Sequence, residues 1–134
     1  MPAAKRSFEL SLLPETFAIC HFAADAVIPE WATQGQFFSI TRSSDELSVI
    51  AEAASVPEKL RTEMSWRCMK VHGPFALSEV GVLASLAAPL AAAGVSVFTI
   101  STFDTDYLLV QCIQLREALA GLRNASHTVH EDTT

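Results

Sequence analysis

Residues 80–100 are 21 consecutive positions without a charge, and the fate of this run decides what kind of protein the chain can make. About 20 apolar residues suffice for a helix to cross a bilayer. Three features argue against a membrane span here. Pro89 and Gly94 interrupt the run, Ser85, Ser96 and Thr99 lie within it, and its flanks Glu79 and Asp104 are acidic where Lys or Arg anchors belong. The composition also changes at Gly94, from an alanine-rich helix former to the β-branched stretch Val95-Ser96-Val97-Phe98-Thr99-Ile100. The run therefore reads as helix, glycine stop, strand.

That unit anchors the second half. Trp66 to Val71 alternate and predict a strand with Trp66, Cys68 and the Lys70 stem on one face. A loop with Gly73 and Pro74 leads to Ser78, the expected N-cap of a helix over 79–93, whose last turn Pro89 should bend. A strand over 95–101, a turn near Phe103 and Asp104, and a strand over 107–110 follow. Leu115, Leu119 and Leu122 at helical spacing predict a helix over 113–122, closed by Gly121 or Asn124, before a short strand over 125–129 and a polar tail from 131. The order is β-α-β-β-α-β, the ferredoxin-like arrangement.

The first half is less regular. Residues 8–13 and 16–22 read as strands joined at Pro14 and Glu15, and 27–31 as an apolar connection. Segments 37–41 and 47–51 read as a hairpin, and Pro57 to Arg61 hints at a helix capped by Ser55. Phe38-Ser39-Ile40-Thr41, a turn with Asp45, then Leu47 echoes Phe98-Thr99-Ile100-Ser101, a turn with Asp104, then Leu108, which suggests an internal repeat.

Nine Lys and Arg against fifteen Asp and Glu give a net charge of −6, which disfavours nucleic acid, since phosphate binding needs clustered cations. Half the residues are apolar and 18% are charged, enough to fold one compact domain or two small ones. Cys20, Cys68 and Cys112 are odd in number and far apart, so three reduced, buried thiols in a cytoplasmic protein are expected.

Asp104 and Asp106 are spaced so that an extended backbone aims both the same way. Either charge recognition of a ligand or a turn-capping role fits Asp104; Asp106, at a strand edge, suits a ligand. The helix start near Glu79 would present free N–H groups to a carboxylate. Gly81 in the first helical turn implies a packing or close-approach reason, since Gly costs about 1 kcal/mol there against Ala. His127 and His130 sit in the terminal segment and read as solvated. No nucleophile elbow or phosphate loop is present, and neither a catalytic set, a cofactor nor a metal site is expected.

The stretches 37–50 and 95–110, with Ser101-Thr102-Phe103-Asp104-Thr105-Asp106-Tyr107 the most specific, resemble ACT-domain proteins, including the tandem ACT domains of aspartate kinases and of CASTOR-type arginine sensors. The resemblance implies an α+β fold of two tandem ferredoxin-like units, over 1–63 and 64–130, with antiparallel sheets covered by helices. It also implies a non-catalytic amino-acid-binding regulator. Carried over by position, the pocket would involve Glu79, Gly81 and Val82 at the helix start, Ser96 and Val97 on the next strand, and Thr102, Phe103 and Asp106 at the strand-turn-strand. Asp106 would meet a cationic group of the ligand and the helix start its amino-acid head group. The sensors hold four such units in one chain, so a homodimer is expected to restore four, with no membrane or nucleic-acid partner. A module that dimerises or docks onto an enzyme without a ligand is the alternative, and a small enzyme using Asp104, Asp106 or a histidine is a third.

Overall fold

The structure, a computed structural model, describes residues 6–61 and 64–131; the expected polar tail lies outside them from position 132 on. The strands are β1 (Glu9–Phe22), β2 (Ser39–Arg42), β3 (Leu47–Glu52), β4 (Trp66–Val71), β5 (Val97–Ser101), β6 (Asp106–Gln111) and β7 (Thr128–Glu131). The α-helices are α1 (Val82–Ala92) and α2 (Leu115–Asn124). No helix among the described residues is long and apolar enough to cross a membrane.

The chain divides into two compact units that are not consecutive in sequence. Of the described residues, one takes 6–14 together with 68–131; the other lies within Glu15–Arg67. The boundary expected between 63 and 64 is replaced by two, the first inside β1. The two strands expected over 8–13 and 16–22 are one strand of 14 residues, because proline's missing N–H does not prevent an extended backbone.

In the unit that includes the C-terminal half, β4-α1-β5-β6-α2-β7 follows the expected β-α-β-β-α-β order. Its strand order is β7-β1-β4-β6-β5. The first residues of β1 thus separate two strands that the expected fold would pair. β7 runs parallel to β1, with Glu9 opposite Thr128 and Leu12 opposite Glu131, so this sheet is not wholly antiparallel. Val82, Leu86 and Leu90 of α1 and Ala118, Leu119 and Leu122 of α2 face the sheet residues Leu10, Leu12, Met69, Val71, Leu108, Val110 and Val129 in one core. A fully buried leucine of this kind contributes on the order of 2 kcal/mol.

The helix ends differ from expectation by a few residues. α1 begins at Val82 with Gly81 as N-cap, not Ser78. It ends where Gly94 adopts φ 75° and the N–H of Val95 reaches the carbonyl of Leu90 at 2.9 Å, a closure that needs a left-handed residue. α2 runs beyond Leu122 to Asn124, and its left-handed residue is Ser126 (φ 73°), not Gly121 or Asn124.

The other unit contains β2, β3 and the second part of β1. β3 pairs antiparallel with both neighbours, from Phe17 opposite Glu52 to Phe22 opposite Leu47 and from Ser39 opposite Ile50 to Arg42 opposite Leu47. Ala18, Cys20, Ala32, Leu47, Val49, Ala51 and Val56 form its core. No α-helix occurs among its described residues, so the second β-α-β-β-α-β unit expected over 1–63 is not formed. Its apolar residues recur with period two, and Pro29 and Pro57 each precede a single 3-10 turn, Glu30–Thr33 and Glu58–Leu60. The hairpin of the internal repeat is real in both units. Arg42 opposite Leu47 and Ser101 opposite Asp106 close loops of equal length, and in each the first loop residue donates its N–H to the fourth: Ser43 to Glu46 at 2.9 Å and Thr102 to Thr105 at 2.8 Å.

Candidate functional site

The N-terminus of α1, the loop before it and the β5–β6 turn line an open cavity of about 300 Å³. Six of the eight residues expected at a site line it, namely Glu79, Gly81, Val82, Thr102, Phe103 and Asp106. Ser96 and Val97 do not. Val97 begins β5 and Ser96 precedes it, about 13 and 16 Å from Ser101 at some 3.3 Å per extended residue, and the Ser96 N–H is directed to Gln114 Oε1 at 3.3 Å.

The turn is built by its threonines. Thr102 Oγ1 donates to the Thr105 carbonyl at 3.0 Å and accepts from the Thr105 N–H at 3.2 Å. Thr105 is buried, and its Oγ1 donates to the Val71 carbonyl at 2.7 Å, which ties the turn to the end of β4. The Asp104 carbonyl accepts from the Phe75 N–H at 2.7 Å and fastens the loop before α1 to the turn. A Cβ at Gly73 would stand 2.9 Å from that carbonyl, so only glycine admits this approach. Asp104 therefore acts through its backbone as a turn residue, while its side chain is exposed at the cavity rim.

Asp106 begins β6. Its Oδ1 accepts from Ser101 Oγ, directly across the hairpin, at 2.5 Å. Ser101 also lines the cavity, a member the sequence reading omitted although the hairpin register pairs it with Asp106. On the opposite wall, Gly81 has φ 86° and nothing lies within 4 Å of where its Cβ would be. No protein atom packs against it, so the helix–sheet contact is not the reason for this glycine; its φ is, and the left-handed turn brings residues 82–84 to the cavity at the start of α1. The N–H groups of a first helical turn have no partner within the helix and carry partial positive charge.

Glu79 lies two residues before the N-cap. Its carboxylate is held by Arg6, whose guanidinium is 2.6 Å away, 3.3 Å from the Val80 carbonyl and 4.8 Å from the centre of the Phe8 ring. Nothing local in the sequence points to Arg6, because the contact crosses 73 positions. With Glu79 paired, Ser101-bound Asp106 and the exposed Asp104 supply the acidic character of the cavity.

The histidines depart most from the sequence reading. His127 is buried, not solvated. Its Nδ1 accepts from the Phe8 N–H at 3.1 Å, and Nε2 donates to the Ser85 carbonyl at 3.1 Å. His130 is exposed and donates from Nε2 to Glu9 at 2.9 Å; this hydrogen bond, ahead of the positive charge nearby, holds the Glu9 carboxyl below its ordinary value. Of the thiols, Cys20 and Cys68 are buried as expected and Cys112 is half-buried. Burial pushes the Cys20 thiol up.

The family model of the ACT domain matches residues 61–124, and a second model, describing an N-terminal domain, matches residues 15–59. The human cytosolic arginine sensor for mTORC1 subunit 1 is 34% identical over 82 residues, which cover 55% of this chain and 25% of that protein. Its rat counterpart is 31% identical over 122 residues, covering 75% and 37%. The chain thus spans roughly a quarter to a third of the length of these relatives. A crystal structure of an Agobacterium tumefaciens protein superposes with a TM-score of 0.88 at 36% identity, over 96% of both chains. A Vibrio cholerae protein shares the fold, with a TM-score of 0.74 at 20% identity over 88% of each chain.

Proposed function

Residues 61–124 of this chain are an ACT domain, and from that premise we propose that the protein is a non-catalytic regulatory sensor that binds a free amino acid. The observation that carries the reading is one cavity with a helix N-terminus on one wall and Asp106 on the other. An α-carboxylate suits the N–H groups of residues 82–84. A cationic group suits Asp106, which Ser101 holds in one orientation. A volume of about 300 Å³ is at the small end of ligand sites and matches a single amino acid. The similarity to proteins named as cytosolic arginine sensors supports the ligand class and a cytoplasmic location.

Two of the side chains that line the cavity, Leu77 and Phe103, are apolar and exposed, at 72% and 76%, and Val80, in the same loop before α1, is 84% exposed. In this reading a second subunit covers them and the sensor is a homodimer.

Isothermal titration with the common amino acids tests the proposal. A cationic amino acid is expected to bind, and Asp106→Asn to weaken it at least tenfold, about 1.4 kcal/mol, without lowering the melting temperature. Absence of heat and of thermal stabilisation with every amino acid would overturn the sensor reading in favour of a docking module. Binding that Asp106→Asn leaves unchanged would move the ligand to another site.

A further inference from the structure

On the sheet of the ACT unit, three strands bring together side chains that no aspect of amino-acid binding uses. Glu9 lies on β1, His72 directly follows β4, and His130 lies on β7. The His72 N–H donates to the Glu9 carbonyl at 2.8 Å, and Ser11, two residues along β1, stands opposite His130 in the parallel register. The two imidazoles stack, with centroids 5.4 Å apart and planes 18° from parallel. One donor atom from each of Glu9, His72 and His130 falls within 4.8 Å of the others, and all three residues are exposed.

We propose that Glu9, His72 and His130 form a binding site for a transition-metal dication of the zinc type. Two imidazoles and one carboxylate select borderline metals over calcium or magnesium, which require oxygen ligands. Zinc at about 2.0–2.2 Å from each ligand sets neighbouring donors about 3.4 Å apart. Glu9 and His130 already stand at 2.9 Å, so closing the site needs side-chain movements of only about an ångström. Metal entry exchanges partners. His130 takes the metal in the tautomer that carries its proton on Nδ1, any second proton passing to water, which leaves the Nε2 lone pair for the metal. His72 Nε2 lies 2.6 Å from Ser11 Oγ and exchanges that hydroxyl for the metal. Three protein ligands leave a fourth position for water or a small anion.

The test is titration of the full chain, free of any affinity tag, with zinc(II), followed by calorimetry and by the metal-induced rise in melting temperature. One equivalent is expected to bind. His72→Ala and His130→Ala should each weaken it at least about tenfold and abolish the thermal stabilisation, Glu9→Gln should weaken it less, and His21→Ala, at an exposed histidine outside the cluster, should change nothing. Melting of the metal-free variants reports that they remain folded. The assignment is overturned if no stoichiometric uptake occurs, or if uptake survives both histidine substitutions, which would assign the metal to the thiols.

Discussion

Proline at position 89 lacks the N–H that would otherwise close a helical bond to the carbonyl of Ser85. That carbonyl is taken instead by His127, whose other ring nitrogen accepts the N–H of Phe8. The imidazole also stacks on the Phe8 ring at 5.7 Å. One buried side chain thus repairs the defect in α1 and ties down the residue before β1. Substituting His127 by Leu strands a donor and an acceptor, each costing about 1–3 kcal/mol, and is expected to destabilise the protein by about 2–4 kcal/mol in urea unfolding. In a Pro89→Ala background the Ser85 carbonyl regains a helical donor, so the same substitution should cost about 1 kcal/mol less in a double-mutant cycle. Strict additivity would show that the proline and the histidine are not coupled. The pairing escaped the sequence reading because Ser85 and His127 are 42 positions apart, and a histidine near a polar terminus carries no local sign of burial.

At the scale of elements, two glycines on the helices act for opposite reasons. Gly81 is left-handed with open space at its Cβ position, whereas Gly121, inside α2, would put a Cβ 3.1 Å from the Ala93 Cβ and 3.2 Å from the Pro89 carbonyl oxygen. Gly81→Ala should therefore cost about 1–2 kcal/mol through backbone conformation alone. At Gly121 alanine gains about 1 kcal/mol of helix propensity against a contact that the end of α1 can relieve by a small shift, and leucine should cost more than about 2 kcal/mol through overpacking. Chemical denaturation of the three variants separates the cases; equal losses for both alanine substitutions would contradict the distinction. Element types in the C-terminal half were legible because the composition changes at Gly94 from an alanine-rich helix former to a β-branched run, and because Leu115, Leu119 and Leu122 recur at helical spacing. Helix starts were not, since Ser78 has the chemistry of a cap but Gly81 alone tolerates the turn that begins α1.

For the whole molecule, the consequence is that the ACT unit is not a contiguous stretch. Leu10 and Leu12 are in its core, and β7 pairs with residues 9–12. A chain cut to residues 64–134 lacks both, and far-ultraviolet circular dichroism is expected to find it largely unfolded, whereas the same chain with residues 6–14 supplied by a linker should regain cooperative melting. A folded 64–134 fragment would show that β1 is dispensable. The sequence by itself determined the β-α-β-β-α-β order and the hairpin repeated at 39–52 and 97–111, because each rests on local pattern or on turn chemistry within a few residues; the six residues around the cavity were expected from the family resemblance carried over by position, with only the helix start near Glu79, Gly81 and Asp106 also marked by their own local chemistry. Only the tertiary structure decided that β1 enters the ACT sheet, that Arg6 pairs with Glu79, that Ser96 and Val97 stand away from the cavity, and that Glu9, His72 and His130 meet. Those outcomes depend on strand order and on contacts across tens of positions, and strands of similar alternation can pair in several orders until the packing of one core selects among them.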